Sequence, residues 1–365
     1  MNILHIADLS TVTPTYTTGI AEVVLTLTCC QRNMGHNASI GLIKHNKYLE
    51  EKPEITFLDA SKFSEIIRNN KVDIVIFHSL YKLTYLKFSK ILRKMKIPYC
   101  IEFHGGATIQ NASKGKIKKY IANAIGFNNF VKKASSLIYL SNKEKELSVF
   151  KIVPDNSIII PNGIRPRENV ISRKNRNMNR KIEFIFLARI DIHHKGLDVL
   201  CDALDLLISE GYDSCIHFSF YGTEKFGHYF TDRIKTLTRI ADYKGPVIGE
   251  EKFKAFENSD IYILTSRYEG MPVTVLEALS CGCPCLITPQ TNMTDLIIKN
   301  NCGWITSINP SEIASTIKSA VSDYKVNFEK YWDNSIIASH TYEWNSIISK
   351  SIEDYQNIID RYGRC

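Results

Sequence analysis

Residues Ser266–Pro284 read SRYEGMPVTVLEALSCGCP, and an apolar run, Ile261–Thr265, leads into them. The run has the pattern of a buried strand, and Arg267–Gly270 is the turn out of it. Pro272 suits the first turn of a helix, because its missing N–H would be unpaired there anyway. Gly282 is suited to end that helix. The stretch therefore predicts a strand whose carboxyl end opens directly onto a helix N-terminus. In open α/β sheets that is where ligands bind. Unpaired amides and a dipole of about half a charge favour an anion there, typically phosphate. Gly270 has no side chain to block the approach, and Pro272 stands at the mouth.

Two glutamates frame this anion site. Glu269 ends the strand side. Glu277 lies seven residues beyond Gly270, close to two turns of about 3.6 residues, so it stays on the side of the mouth and leans back toward it. Carboxylates on both sides of an anion site suit a ligand with hydroxyls at both ends and charge in the middle, which describes a nucleoside diphosphate-sugar. Such a ligand also requires cations. The segment FIFLARIDIHHKGLDVL supplies Arg189 at the end of another buried strand and Lys195 just before the next helix. Charge-assisted hydrogen bonds of this kind contribute roughly 1.5–3 kcal/mol each, and they neutralise a departing diphosphate as its charge develops.

Outward from these segments the chain alternates strand and helix signals, which implies βαβ units and parallel sheets. In the first half, strands are expected at Ile3–Ala7, Ala38–Ile43, Asp73–Phe77, Tyr99–Phe103 and Ser136–Leu140. Helices are expected at Gly19–Met34 and Tyr81–Met95, the latter with Leu83, Leu86, Ile91 and Leu92 on one face. Residues Arg165–Lys181 are polar, basic and aperiodic, a linker signal. Alternation then restarts with strands at KIEFIFLA, CIHFSFYG, PVIG and IYILTS, and helices near Leu197–Ile208 and Thr231–Ala241. From Pro310 onward the chain reads as consecutive helices. The expected architecture is α/β, two Rossmann-like doubly wound domains facing across a cleft. They span 1–165 and 181–342, with 166–180 as linker and 343–365 as a helix returning to the first domain.

A length of 365 residues fits two domains, and 44% apolar with 23% charged residues excludes disorder. No apolar run reaches the roughly 20 residues that span a bilayer. The N-terminus MNILHIADLS reads as a strand rather than a signal peptide, so the expected location is cytoplasmic. Ten cysteines in this setting read as core residues. Cys281, Cys283 and Cys285 have no CxxC partner to complete a metal site. Charge is uneven. Residues 1–170 hold 24 Lys and Arg against 13 Asp and Glu, a surplus of +11, and the remaining 22 against 25 leave −3 in residues 171–365. A basic first half suggests an anionic partner.

RIDIHHKGLDVL, followed about eighty residues later by SRYEGMPVTVLEALSCGCP, resembles glycosyltransferase family 4, the retaining group 1 enzymes of the GT-B fold. Further pieces are PNGI at Pro161–Ile164, FYG at Phe220–Gly222, FHGG at Phe103–Gly106 and TTGI at Thr17–Ile20. The resemblance covers nearly the whole chain. It implies that Arg189 and Lys195 bind the donor diphosphate, with Gly270 and Met271 contributing backbone amides. It places Glu269 on the donor hexose, Glu277 on the ribose, the base near Gly245–Gly249, Gly19 facing the phosphates from the first domain, and His104 near donor sugar and acceptor. It implies catalysis without metal, cofactor or an established protein nucleophile. The family loop usually carries two adjacent glycines. Here Thr18 replaces the first, adding bulk and a hydroxyl near the phosphates. His193 and His194 are assigned no role.

Two stretches, Lys82–Lys96 and Lys114–Lys133, are basic with apolar and aromatic residues interspersed. Such a pattern suits either an anionic membrane surface or a helix packed on its own sheet with solvated lysines. No nucleic-acid-binding module is visible. The expected activity is transfer of a hexose or N-acetylhexosamine from a nucleotide-sugar, with a UDP-sugar favoured over GDP-mannose. The acceptor would be a glycan or lipid-linked glycan, as in capsule, O-antigen or lipopolysaccharide synthesis. A sugar-nucleotide epimerase and a non-catalytic sugar-nucleotide-binding subunit are the alternatives. A dinucleotide-dependent dehydrogenase is excluded by the lack of G-x-G-x-x-G after the first strand.

Overall fold

A computed structural model describes the chain except Thr15 and residues 110–115, 151–156, 168–178, 225–226 and 364–365. The chain divides into two compact units, Met1–Gly163 with Trp344–Cys365, and Ile164–Glu343. Most of the basic stretch expected to link two domains, residues 168–178, lies outside the described residues, as do 114–115 of the second basic run.

The first unit is built on a seven-stranded parallel sheet. Its strands are β1 (Asn2–Ala7), β2 (Asn37–Leu42), β3 (Ile55–Phe57), β4 (Ile74–His78), β5 (Tyr99–Glu102), β6 (Ser136–Tyr139) and β7 (Ile158–Ile159), in the order β3-β2-β1-β4-β5-β6-β7. The order reverses between β1 and β4, the switch point of a doubly wound sheet. Strands such as β4 and β5 are buried throughout, as expected of parallel strands covered on both faces. β3 and β7 are three and two residues long, too short to show a periodic signal.

The helix expected at Tyr81–Met95 is Leu83–Lys94, but its buried face is Tyr85, Phe88, Ser89 and Leu92. Leu83 is 68% exposed. The aromatic residues decide the face. Phe88 stacks on Phe63, and Tyr85 Oη donates to the carbonyl oxygens of His78 and Ile6 at 2.9 and 3.2 Å. The C-terminal helix Trp344–Gly363 belongs to this unit. Gly163 admits it, because a Cβ there would lie 2.4 Å from the Trp344 ring. Gly163 of the PNG motif is thus a close-approach site.

The second unit holds a six-stranded parallel sheet. Its strands are β8 (Ile182–Leu187), β9 (Ile216–Tyr221), β10 (Ala241–Gly245), β11 (Ile261–Leu264), β12 (Cys285–Ile287) and β13 (Gly303–Ile305), in the order β10-β9-β8-β11-β12-β13. The switch point falls between β8 and β11. Two expectations are corrected. The helix placed at Thr231–Ala241 is Tyr229–Lys235, and the strand placed at PVIG is Ala241–Gly245. The true strand, ADYKG, borders the sheet and is only partly buried, so it lacks the apolar signature that PVIG mimics.

The helix after β11 is Val273–Ser280, with Pro272 capping it from one residue outside. It ends as Gly282 predicts. Gly282 has φ +67°, its N–H donates to Leu279 O, and Cys283 N–H donates to Ala278 O, both at 2.9 Å. That is the Schellman pattern.

Candidate active site

β8 and β11 deliver their carboxyl ends side by side, and the loops that follow are tied together. Arg267 donates its main-chain N–H to His194 O at 2.9 Å. Its guanidinium grips both oxygens of Asp198 at 2.7 and 2.8 Å. Thr265 Oγ1 donates to Lys195 O at 3.0 Å. Gly196 makes this approach possible. It has φ +63°, and a Cβ there would sit 2.2 Å from Thr265 O.

Lys195, Glu269 and Arg189 converge at this junction. Lys195 is buried, and its Nζ donates to Glu269 Oε1 at 2.5 Å. Ser266 Oγ donates to the same oxygen at 2.7 Å. Burial pushes the Glu269 carboxyl up, but the charge of Lys195 and the hydrogen bonds from Lys195 and Ser266 more than reverse it, leaving it below its ordinary value. Arg189 is more open, and its Nη2 reaches Asp191 Oδ2 at 3.4 Å and His194 Nδ1 at 3.2 Å.

His194, given no role from the sequence, positions this group. Its ring stacks on Tyr268 with centroids 4.1 Å apart. Its Nε2 lies 2.8 Å from Tyr268 O. A carbonyl only accepts, so the proton is on Nε2 and the neutral ring offers Nδ1 as an acceptor to Arg189. Burial and the nearby Lys195 and Arg189 charges lower its basicity, outweighing Glu269.

Gly270, Met271 and Pro272 form the turn ahead of the Val273–Ser280 helix. Asn292, at φ +60°, donates its side-chain amide to Glu269 O at 2.7 Å and Gly270 O at 3.1 Å. In a trans peptide C=O and N–H point in opposite directions. Holding those two carbonyls therefore aims the N–H groups of Gly270 and Met271 away from Asn292. Glu277, on the same helix, is buried and paired with Lys252 of the Gly249–Asn258 helix. Gly245 ends β10, two strands from β8 and hence about 10 Å across the sheet. Its φ is +78°, with open space where a Cβ would be.

Gly19 and His104 lie in the first unit. Gly19 opens the Gly19–Asn33 helix with nothing within 4 Å of a notional Cβ. Thr18 is its N-cap, and the Thr18 hydroxyl oxygen accepts from Ala21 N–H at 3.2 Å. Asp8, beyond β1, is paired with Lys82 at 2.7 Å and Lys44 at 3.0 Å. His104 has φ +50°, and its ring is turned into the unit. Its Nε2 lies 2.9 Å from His78 Nδ1, and His78 Nε2 lies 2.9 Å from His5 Nδ1. His5 Nε2 in turn lies 2.8 Å from Gln31 Oε1. Burial lowers His5 to about 4 and His104 to about 3, so the three rings are neutral. Beside them, burial and the neighbouring Glu144 push the Glu102 carboxyl up to about 8.

Residues 181–323 match the family model described as Glycosyl transferases group 1, and residues 17–168 match Glycosyltransferase Family 4. The chain belongs to glycosyltransferase family 4. An uncharacterized glycosyltransferase of Methanocaldococcus jannaschii is 24% identical over 239 residues, 61% of this chain and 60% of the relative, so the match spans less than two thirds of that protein. A Campylobacter jejuni protein named N,N'-diacetylbacillosaminyl-diphospho-undecaprenol alpha-1,3-N-acetylgalactosaminyltransferase is 24% identical over 292 residues, 72% of each chain. Among solved structures, Anabaena HepE in complex with UDP and glucose superposes with a TM-score of 0.75 at 16% identity, covering 98% of this chain and 100% of that one. That likeness establishes the fold: α/β, of the GT-B type with two Rossmann-like domains.

For a family 4 glycosyltransferase the instructive residues are those the sequence did not flag: His194, Asn292, Lys252, and the His5–His78 pair behind His104. Lys252 and Asn292 lie outside any motif and act only through the fold. His194 stood inside the quoted HHK, but its role depends on Tyr268, 74 residues away.

Among the described residues, His78, Glu102 and His104 could hold a metal ion, their ligating atoms lying within 4.8 Å of one another. His78 Nδ1 and His104 Nε2 are already spent on each other, so a cation would have to displace that hydrogen bond. Cys281, Cys283 and Cys285 are buried, and burial pushes the Cys281 thiol up to about 12, the behaviour of core residues. Among the described residues no helix is long and apolar enough to cross a membrane.

Proposed function

We propose that this family 4 glycosyltransferase moves a hexose or N-acetylhexosamine from a nucleoside diphosphate-sugar to a hydroxyl of a glycan or lipid-linked glycan. Transfer occurs with retention and without a metal ion. The reading is carried by the convergence of Arg189, Lys195 and Glu269 beside the aimed amides of Gly270 and Met271. Cations and amides suit a diphosphate, and the carboxylate suits sugar hydroxyls. A UDP-linked donor is favoured over GDP-mannose, supported by the HepE complex with UDP and glucose. A lipid-linked acceptor in surface polysaccharide synthesis, of O-antigen or lipopolysaccharide type, is supported by the undecaprenol in the Campylobacter relative's name. The basic first unit then faces the cytoplasmic side of an anionic membrane.

In this reading the bond from the sugar's anomeric carbon to the diphosphate breaks. The acceptor hydroxyl attacks on the face being vacated, and its proton passes to a diphosphate oxygen. Arg189 and Lys195 stabilise the charge that develops on the diphosphate. Glu269 holds the hexose, Glu277 the ribose, and the base rests near Gly245. His104 acts by fixing the FHGG loop, since its ring nitrogens are engaged by His78 and Glu102.

The test is a thermal-shift screen of nucleotide-sugars, followed by product analysis with and without acceptor. Stabilisation by a UDP-sugar, acceptor-dependent product with unchanged anomeric configuration, and activity surviving a chelator are expected. Sugar release without acceptor would favour an epimerase and overturn transfer. A strict divalent-metal requirement would overturn the metal-free part.

A further inference from the structure

Between Asp73 and Glu144 the chain carries thirteen Lys or Arg and a single acid, Glu102, and Glu102 is buried. The side chains that this span itself presents are therefore positive, and Lys82 among them is paired to an acid from outside it, Asp8. The Leu83–Lys94 helix buries one face against the sheet. Its exposed positions are Leu83, Lys87, Lys90 and Lys94, spaced four, three and four apart, so they form one solvent-facing stripe.

The Lys116–Ala122 helix and the Asn123–Phe127 turn lie against the start of this helix. The Lys119 Nζ sits 5.9 Å from the Tyr81 ring, Tyr81 contacts Phe127 with centroids 5.2 Å apart, and Gly126 abuts Leu86. This second segment exposes large apolar side chains: Tyr120 at 78%, Ile125 at 67% and Ile121 at 50%. Lys118 is exposed among them. Single exposed apolar residues are ordinary, but four neighbouring ones rimmed by lysines mark an interaction site.

We propose that Leu83, Tyr120, Ile121 and Ile125, with Lys87, Lys90, Lys94 and Lys118, dock the first unit on an anionic phospholipid bilayer. The inference extends the lipid-linked acceptor reading above. Charge complementarity selects this occupant. A segment with many lysines and no exposed acid of its own suits anionic headgroups, while isoleucine, leucine and tyrosine enter the headgroup and acyl boundary. Nucleic acid would satisfy the lysines and leave the aliphatic side chains without a role. The side chains act as a shallow anchor, so binding is reversible.

The test is co-sedimentation of the full chain with vesicles of phosphatidylcholine alone or with about one third phosphatidylglycerol. Binding to the anionic vesicles, little to the neutral ones, and weakening by salt are expected. Leu83→Glu with Ile125→Glu should reduce binding by about tenfold or more, since apolar burial is replaced by like-charge repulsion. Lys87→Gln, Lys90→Gln and Lys94→Gln should each weaken it about fivefold, the equivalent of roughly 1 kcal/mol per lysine. Thermal stabilisation by UDP is read in parallel and should not change in any of these variants. The proposal is overturned if the wild type ignores anionic vesicles, if the variants bind like the wild type, or if the patch instead holds two copies together without lipid. Vesicle binding without UDP stabilisation would sink the donor reading and leave this surface standing.

Discussion

Nζ of Lys195 lies 2.5 Å from Oε1 of Glu269, the oxygen that Ser266 Oγ also reaches at 2.7 Å. Both partners are largely withdrawn from solvent, so the pair is held in one geometry and neither charge is dispensable. Lys195→Ala strips the cation from a buried carboxylate, which costs about 3 kcal/mol of stability. It should also lower turnover about tenfold or more, through lost diphosphate contacts. Adding Glu269→Gln should restore much of the stability and none of the activity. Thermal unfolding and kinetics on both variants check this. A double mutant as unstable as Lys195→Ala would show that the pair does not couple.

His194 holds Arg189 through an unprotonated Nδ1 and holds Tyr268 through Nε2–H. His194→Phe keeps the stacking on Tyr268 and removes both hydrogen bonds. Donor KM should rise about fivefold with a smaller change in kcat, because the loss is in positioning a binding group. The lowered basicity of His194 adds a sign. The ring stays neutral below its ordinary value of 6.5, so wild-type donor affinity should hold as pH falls through 6.5. A sharp loss of affinity centred there would contradict the neutral tautomer.

The doubly wound architecture was legible because parallel strands buried on both faces read as apolar runs. The Ser266–Pro284 stretch carried its own start and stop signals. Edge elements were not legible. β10 is polar and half exposed, so the apolar PVIG drew the reading. The buried face of Leu83–Lys94 departs from the leucine spacing because Tyr85 and Phe88, not Leu83 and Leu86, fit the aromatic cluster around Phe63 and Phe77. At the candidate site, Arg189, Lys195 and Glu269 stand inside sequence motifs and lie together in the fold, while Asn292 and Lys252 stand outside any motif. Their partners are set by the topology, and nothing local distinguishes them from other surface-type residues.

Glu277 and Lys252 form an ion pair with the carboxylate almost fully buried. If Glu277 accepts hydrogen bonds from ribose hydroxyls, Glu277→Ala should lower kcat/KM about tenfold or more. Lys252→Met keeps the carboxylate and removes the cation that orients it. It should raise donor KM about threefold to tenfold and leave kcat nearly unchanged. Equal loss of kcat in both variants would place Lys252 on the reacting groups rather than behind Glu277.

The buried histidine row makes the first unit sensitive to acid. His5 and His104 titrate at about 4 and about 3 in the folded chain, with His78 well below 6.5 as well. From pH 6.5 down to about 4 the unfolded chain binds protons that the native rings refuse. Stability therefore falls with pH at roughly 1.4 kcal/mol per unit per histidine. Glu102 runs the other way. Its carboxyl is raised from 4.5 to about 8, so it favours folding at low pH and that contribution is lost as pH rises through 8. Circular dichroism melts from pH 4 to 9 should show the acid-side fall steepened and the alkaline-side fall flattened by Glu102→Gln. An unchanged profile would refute the assignment of a protonated Glu102.

Gly196 lets the Lys195 loop lie against the end of β11. Its φ is +63°, and any Cβ would meet Thr265 O at 2.2 Å. Gly196→Ala combines a left-handed conformation, costing about 1 kcal/mol for a residue with Cβ, with a backbone clash that only a shift of the loop relieves. That shift would draw Lys195 away from Glu269 and break the Thr265 Oγ1 bond to Lys195 O. The expected result is a loss of about 2–4 kcal/mol of stability, with turnover falling about as far as in Lys195→Ala. Gly211→Ala is the matched control. It has φ +78° but open space around it, so it should cost only the conformational part and leave activity intact. If Gly196→Ala loses no more activity than Gly211→Ala, the spacing between these two loops does not set the geometry of Lys195.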